Sequence, residues 1–256
     1  MRIVSYNVNG IRAAIKKGLI EWLASEKIDV LCIQETKASP EDIDLTLFTS
    51  LGYHVNWFPA QKKGYSGVAI FSKKKPNKVV LGNGYEMSDA EGRVIRIDID
   101  DITIVNAYFP SGTSGDLRQT YKYQWLNEFN DYLVVLKKER SQIVVAGDYN
   151  IAHQAIDIHD PKGNKKSSGF LPEERAWMDQ LLANNWVDSF RTMHPEAVGA
   201  YSWWSQRFPS VRLQNKGWRI DYLCTTSSLL TKIKTAGILP DIKHSDHCPI
   251  ILELKK

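Results

Sequence analysis

Ile143-Val144-Val145-Ala146-Gly147-Asp148-Tyr149-Asn150 is an apolar run that stops at an acid and an amide two residues apart. A short β-branched run closed by glycine reads as a buried strand. Side chains two apart on an extended chain share a face, so Asp148 and Asn150 are expected side by side at a strand end. A solvated turn would also contain such a pair, since Asp and Asn are common turn residues. The pattern recurs, however. Ile3-Val4-Ser5-Tyr6 runs into Asn7-Val8-Asn9-Gly10, Val30-Leu31-Cys32-Ile33 into Gln34-Glu35, and Ile102-Thr103-Ile104-Val105 into Asn106-Ala107-Tyr108. Arg219-Ile220 leads to Asp221, and His244-Ser245-Asp246-His247 precedes Pro249-Ile250-Ile251-Leu252. One site shared along a sheet edge explains these polar ends better than independent turns do. The echo between Asn7/Asn9 and Asp148/Asn150 fits two packed sheets, each giving an edge to one cleft.

A chain of 256 residues suits one large α/β domain or two small ones. No linker, low-complexity tract or fixed-period repeat divides it, so a single domain over 1–256 is expected. The net charge of +4 and pI near 8.8 permit a nucleic-acid partner without requiring one. Eight Trp and eleven Tyr leave a surplus beyond the core for stacking. The three cysteines, Cys32, Cys224 and Cys248, are odd in number and have apolar neighbours. They read as buried free thiols in a reducing compartment rather than a disulfide framework or zinc site. The first apolar run meets Asn7 at once, and no stretch approaches the length of a membrane span. A soluble cytoplasmic protein is expected.

The apolar residues Ile11, Ala14, Ile15, Leu19, Trp22 and Leu23 predict one helix after the first strand. Ser39-Pro40-Glu41-Asp42 opens a short helix, and Tyr53–Phe58 and Gly67–Ser72 read as strands. Lys62–Gly67 and Lys73–Pro76 are basic turns. Val94–Ile99 and Ile102–Tyr108 form a hairpin about Asp100-Asp101. Tyr121, Trp125, Phe129, Tyr132, Leu133 and Leu136 share one face of a long helix and read as packing. Residues 151–170 lack regular pattern, and irregular segments of that length are usually functional or disordered. A helix starts at Pro172-Glu173-Glu174. Tyr201–Gln206 then reads as a strand, Pro209–Gly217 as a basic loop, Trp218–Thr225 as a strand, and 244–254 as the closing segment.

Together the polar ends supply Asn7, Asn9, Glu35, Tyr108, Asp148, Asn150, Asp221, Asp246 and His247. There is no nucleophile elbow and no phosphate-binding P-loop. Oxygen donors with one His suit Mg²⁺ better than zinc. The set fits metal-assisted hydrolysis of a phosphate ester, with an acid or His activating water and Asn and Tyr donating to the transition state. Asp221 near His247 would favour the charged imidazole and fix its orientation. A lone His is as often structural as functional; the adjacent Asp246 favours function.

These residues also carry a resemblance. Tyr6–Gly10, Gln34–Lys37, Asn106–Tyr108, Gly147–His153, Pro161–Lys166, Gly217–Tyr222 and Ser245–Pro249 occur in order along the whole chain. Together they resemble the exonuclease III family of apurinic/apyrimidinic endonucleases, within the endonuclease/exonuclease/phosphatase superfamily. The resemblance implies a four-layer α/β sandwich, two packed mixed β-sheets flanked by helices. It implies Mg²⁺-dependent cleavage, with Mn²⁺ as a substitute, of the phosphodiester 5′ to abasic sites in double-stranded DNA. It extends to 3′→5′ exonuclease, 3′-phosphatase and 3′-phosphodiesterase action on 3′ blocks, and to a monomer.

Carried over by position, Glu35 resembles the principal metal ligand, with Asn9 and Asp246 nearby. Asp148 resembles the group that orients and deprotonates water, supported by Asn150 and Asn7. Tyr108 would bind a phosphate oxygen, and His247, oriented by Asp221, the scissile phosphate. The family also leaves open His247 as the base, and a second metal near Asp148, Asn150 and His247. Trp203, Trp218 and Ile220 match the pocket for a flipped abasic sugar, which loses no stacking or pairing on extrusion. From spacing alone the two Trp fit core packing as well. Asn164 and Lys166 match a loop that contacts phosphates. Ser111 stands where relatives often have an amide, Ser167 where one human-type member has Asn, and Asn9 where human-type relatives have an acid. Two rivals stand beside this reading. A phosphodiesterase acting on lipid or inositol phosphates would not need the Lys162–Lys166 loop or the Trp pair. A non-catalytic DNA-binding module would not need Glu35, Asp148 and His247.

Overall fold

The computed structural model describes residues 1–206 and 210–255. The strands are β1 (Arg2–Asn7), β2 (Val30–Gln34), β3 (His54–Phe58), β4 (Val68–Ser72), β5 (Lys78–Leu81), β6 (Val94–Ile99), β7 (Ile102–Tyr108), β8 (Gln142–Asp148), β9 (Trp186–Asp188), β10 (Asp221–Thr226), β11 (Ile233–Ile238) and β12 (Ile250–Leu254). The helices are α1 (Ile11–Lys16), α2 (Leu19–Ser25), α3 (Thr46–Thr49), α4 (Glu86–Ala90), α5 (Asp116–Glu139), α6 (Pro172–Ala183), α7 (Ser189–Met193) and α8 (Ser210–Leu213).

Two six-stranded sheets form, ordered β11-β12-β1-β2-β4-β3 and β5-β6-β7-β8-β10-β9. Each is mixed. β1 and β2 run parallel through the α1–α2 crossover, β7 and β8 through α5, and the other pairings are antiparallel. A parallel pair needs such a crossover, and the helices it supplies cover the outer faces. Ile70, Ile97, Val144 and Leu223 fill the seam between the sheets. Trp125, Phe129 and Trp177 seal one outer face. Leu19, Leu23 and Phe48 seal the other. The expected four-layer sandwich is the observed fold.

Asn106 makes a polar bridge across the seam. Asn106 of β7 donates to Ile33 O at 2.8 Å and Ala69 O at 2.9 Å, and accepts from Gln34 Nε2 at 2.6 Å. A fully buried amide with its bonds made fixes how the sheets slide past each other. That register sets where Glu35, after β2, lies relative to Tyr108 and Asp148, at the ends of β7 and β8.

Several local expectations change. The first helix is two, because Gly18 takes φ +97° between Lys17 and Leu19. Tyr201–Gln206 is no strand. Trp203 makes isolated bridges to Trp218 and His247; its aromatic neighbours raise strand propensity without a ladder to join. The strand expected over Trp218–Thr225 begins at Asp221 and ends at Thr226. Within the basic loop at 209–217, Ser210–Leu213 is a short helix, while Pro209 lies outside the described residues. The hairpin at Asp100-Asp101 is present, with Asp100 at φ +52°. No helix among the described residues is long and apolar enough to cross a membrane. The three cysteines are buried and free.

Candidate active site

The ends of β1 and β8 carry the same turn. Asn9 N donates to Asn7 Oδ1 at 2.9 Å, and Asn150 N to Asp148 Oδ1 at 2.8 Å. Asn9 and Asn150 take left-handed φ of +46° and +51°, a conformation Asn tolerates better than most residues. Each strand thus ends by turning a short polar side chain back over its own tip. The sheets face each other, so the two tips meet. Asn7 Nδ2 donates to Asp148 Oδ2 at 2.8 Å and to Glu35 Oε2 at 3.1 Å. Asn7 therefore presents its NH₂ to two carboxylates while its oxygen is held by Asn9.

Asp148 lies between Tyr108 on β7 and Asp221 on β10 in strand register. Like charges opposed on neighbouring strands repel. Burial first, then the Asp221 charge, push the Asp148 carboxyl up from its ordinary value to about 7, against the pull of His247 and the Asn150 and Asn7 hydrogen bonds. His247 relieves the opposition. Its Nδ1 lies 2.8 Å from Asp221 Oδ2 and its Nε2 3.8 Å from Asp148 Oδ2. Burial alone would lower the imidazole, but Asp221 and then Asp148 outweigh it and raise it to about 10. His247 is therefore charged at neutral pH. Tyr108 is held well above its ordinary value, by burial first and then by Glu35 and Asp148, so its hydroxyl remains a donor.

Oxygen donors gather on the other side of Asn7. Asn9 Nδ2 donates to Asp246 Oδ1 at 2.9 Å, and Trp203 Nε1 to Asp246 Oδ2 at 3.1 Å. Asp246 stays below the usual carboxylate range: burial opposes ionisation, but His247, Asn9, Trp203 and Ser245 together win. Lys37 Nζ lies 2.9 Å from Glu35 Oε1 and 2.5 Å from Asn9 Oδ1. Two oxygens thus already converge on a cation, which is the test a divalent ion poses to this corner. The hard donors Glu35 and Asn9 meet it, and the Asn9 amide holds Asp246 beside them. Asp148, Asp221 and His247 also bring ligand atoms within 4.8 Å of one another. There, however, His247 Nδ1 is committed to Asp221.

These groups line a cleft of about 620 Å³. Asn9, Glu35, Tyr108, Asp148, Asn150, Asp246 and His247 face it, with Trp203, Trp218 and Ile220 as its apolar wall. The two Trp rings meet edge to face, centroids 6.0 Å apart. They rest half-buried on Ala152, Ile158, Phe170 and Ile220, as pocket walls rather than deep core. Asn7 and Asp221 stand behind the cleft surface. Asn164 and Lys166 lie outside its lining; the Asn164 amide bonds His159 O and Asp160 O within its own turn. Lys37, Thr113, Ser168 and Gly169 line the cleft without having been singled out. For Lys37, a base two residues after Glu35 was the available signal. A larger hollow of about 740 Å³, bounded by Phe190, Tyr201, Trp204 and Leu213, has no histidine in its lining.

Residues 4–247 match the model of the Endonuclease/Exonuclease/phosphatase family. The chain is 41% identical over 253 residues to an exodeoxyribonuclease of Bacillus subtilis, covering 98% of each. It is 41% identical over 256 residues to the DNA repair nuclease APEX1 of Danio rerio, covering 99% of this chain and 82% of that one. An AP endonuclease structure from Archaeoglobus fulgidus superposes with a TM-score of 0.92 at 32% identity, covering all of both chains. The chain belongs to the Endonuclease/Exonuclease/phosphatase family.

Proposed function

We propose that this protein is a hydrolytic DNA repair nuclease that cuts the phosphodiester 5′ to an abasic site in duplex DNA, leaving a 3′-hydroxyl and a 5′-deoxyribose phosphate. The names of its relatives support the nuclease class. The observation that carries the substrate is an ionisable pair, Asp148 and His247, opening into a cleft whose far wall is the small apolar surface of Trp203, Trp218 and Ile220. The same residues support 3′→5′ exonuclease and 3′-phosphatase action. Both sheets build the cleft, in keeping with one domain over 1–256 and a monomer.

Mg²⁺ is the ion we assign to Glu35, Asn9 and Asp246. Bound there, it would stabilise negative charge on the phosphate and the leaving oxygen. The remaining work falls to the chain. Asp148 takes a proton from the attacking water. Its carboxyl titrates near neutrality, whereas a charged His247 has no lone pair to offer. Asn7 and Asn150 hold the two Asp148 oxygens so that one lone pair faces the water. Water oxygen bonds to phosphorus, the P–O3′ bond breaks, and solvent protonates the 3′ oxygen. His247 and the Tyr108 hydroxyl donate to phosphate oxygens as their charge grows. Asp221 keeps His247 charged and turned toward the cleft. Trp218 and Ile220 accept the base-free sugar and exclude a full nucleotide by size. Lys166, exposed on its loop, adds phosphate affinity without sequence readout.

The test is cleavage of a labelled duplex with one central abasic site, beside an intact duplex, with Mg²⁺ or EDTA. A Mg²⁺-dependent nick just 5′ to the lesion is expected. No nick, with phosphate released from small esters, would move the protein to another branch of its family.

A further inference from the structure

Behind the cleft, Lys122 of α5 and Glu174 in the first turn of α6 form an ion pair at 2.6 Å, both side chains fully buried. Lys and Glu are almost never fully buried unless paired, since desolvation offsets much of their attraction. Lys122 Nζ also donates to Asn150 O at 2.7 Å, the carbonyl of the residue whose left-handed φ shapes the Asp148 turn. Glu174 reaches the other way. Its Oε2 accepts from Gly169 N at 2.6 Å and Leu171 N at 3.0 Å, and its Oε1 from Gln119 Nε2 at 3.1 Å. Gly169 in turn lines the cleft, and its carbonyl accepts from Ala152 N at 2.7 Å. A Cβ at Gly169 would come within 3.0 Å of Trp218 Cζ3 and 3.1 Å of Asn150 O. One ion pair thus ties the turn that aims Asp148 to the loop that backs Trp218.

We propose that Lys122, clamped by Glu174, is a positioning residue for the reaction: it holds the Asn150 turn and the 167–171 loop in the relative placement that sets Asp148 against a phosphate whose sugar sits on Trp218. This rests on the nuclease reading of the cleft. Lys122 lies behind Asn150 and touches neither water nor DNA, so its loss disturbs alignment more than affinity. Small misplacements of reacting groups lower turnover steeply, while phosphate contacts on the exposed loop are untouched.

Lys122→Met alone would strand a buried carboxylate, so the decisive variant is Lys122→Met/Glu174→Met, which removes both charges. Cooperative melting establishes that it folds. On the abasic duplex, kcat is expected to fall roughly 30-fold or more with KM within about threefold. Lys122→Arg, which keeps the charge and the pair, is expected to retain kcat within about fivefold. Should the double variant fail to melt cooperatively, Lys122→Gln/Glu174→Gln, which keeps hydrogen-bonding groups but no charge, is expected to show the same split. A folded neutral variant with kcat within threefold of wild type, or a loss confined to KM, overturns the inference while wild-type nicking leaves the nuclease reading intact. A wild type that does not nick the abasic duplex sinks both.

Discussion

Replacing Asp221 by Asn removes the carboxylate 2.8 Å from His247 Nδ1 and keeps a hydrogen-bond acceptor of nearly the same shape. Asp221 sits beside two titrating groups, and its charge raises both. Holding the His247 imidazolium at about 10 rather than 6.5 corresponds to roughly 5 kcal/mol at about 1.4 kcal/mol per pH unit. Asp221 leads the groups that raise it and is its hydrogen-bonded partner. If Asp221 supplies about half, the His247 titration falls to about pH 8 in the variant. Asp148, freed from the repulsion of Asp221, moves the same way, from about 7 towards roughly 6. The rate requires Asp148 ionised and His247 charged, so it rises as pH climbs through the Asp148 titration and falls through that of His247. The two groups interact, so each limb reports the pair.

The wild type is therefore expected to reach a plateau above neutrality and hold it to about pH 9. Asp221→Asn gains activity relative to its own maximum near pH 6 and loses it above about pH 8, so the whole profile moves to lower pH. The assay is kcat/KM on the abasic duplex from pH 5.5 to 9.5 at saturating Mg²⁺, with the His247 ring titrated by NMR in the same variant. A basic limb unmoved from wild type, or limbs that separate, would refute the charge assignment.

Asp148→Asn removes the base but leaves the Trp wall and the exposed lysines. Turnover should drop about 10²- to 10⁴-fold, with abasic-duplex affinity by fluorescence anisotropy within about threefold. Trp218→Ala strips apolar contact from the flipped sugar. The preference for abasic over intact duplex should shrink roughly tenfold, or about 1.5 kcal/mol, and equal losses on both duplexes would return Trp218 to a packing role. Asn106→Ala removes the side-chain donor to Ile33 O and Ala69 O and one acceptor of the Gln34 amide, which keeps Ser5 Oγ. Urea denaturation should reveal a loss of about 2–4 kcal/mol, and an unchanged midpoint would deny Asn106 its bridging role.

The candidate site was legible where it sits at the ends of apolar runs. Asp148, Asn150, Asn7, Glu35 and Tyr108 each follow a strand whose pattern locates it, and the paired Asn turns of β1 and β8 even signalled two sheets. What lies between elements was not legible. Lys122 falls on a helix that reads as aromatic packing, and its partner Glu174 reads as a favourable first-turn acid; only α5 against α6 brings them together. Asn106 looks like any polar residue near a strand end until the second sheet arrives. β5, β9 and β11 escaped because they are short or half-exposed edge strands without clear alternation. The helix break at Gly18 depends on a backbone angle that apolar spacing cannot encode. Asn164 bonds its amide within its own turn, a role sequence cannot separate from a surface contact, since Asn fits both.

The most direct test of the central claim is cleavage of the abasic duplex in water enriched in ¹⁸O, followed by mass spectrometry of both fragments. Attack of Asp148-directed water at phosphorus places one ¹⁸O on the 5′-phosphate of the deoxyribose fragment and leaves an unlabelled 3′-hydroxyl on the other. An unlabelled phosphate beside a 3′-unsaturated aldehyde would mean the strand breaks by elimination at the sugar, and would contradict the roles given to Asp148, His247 and the metal corner alike.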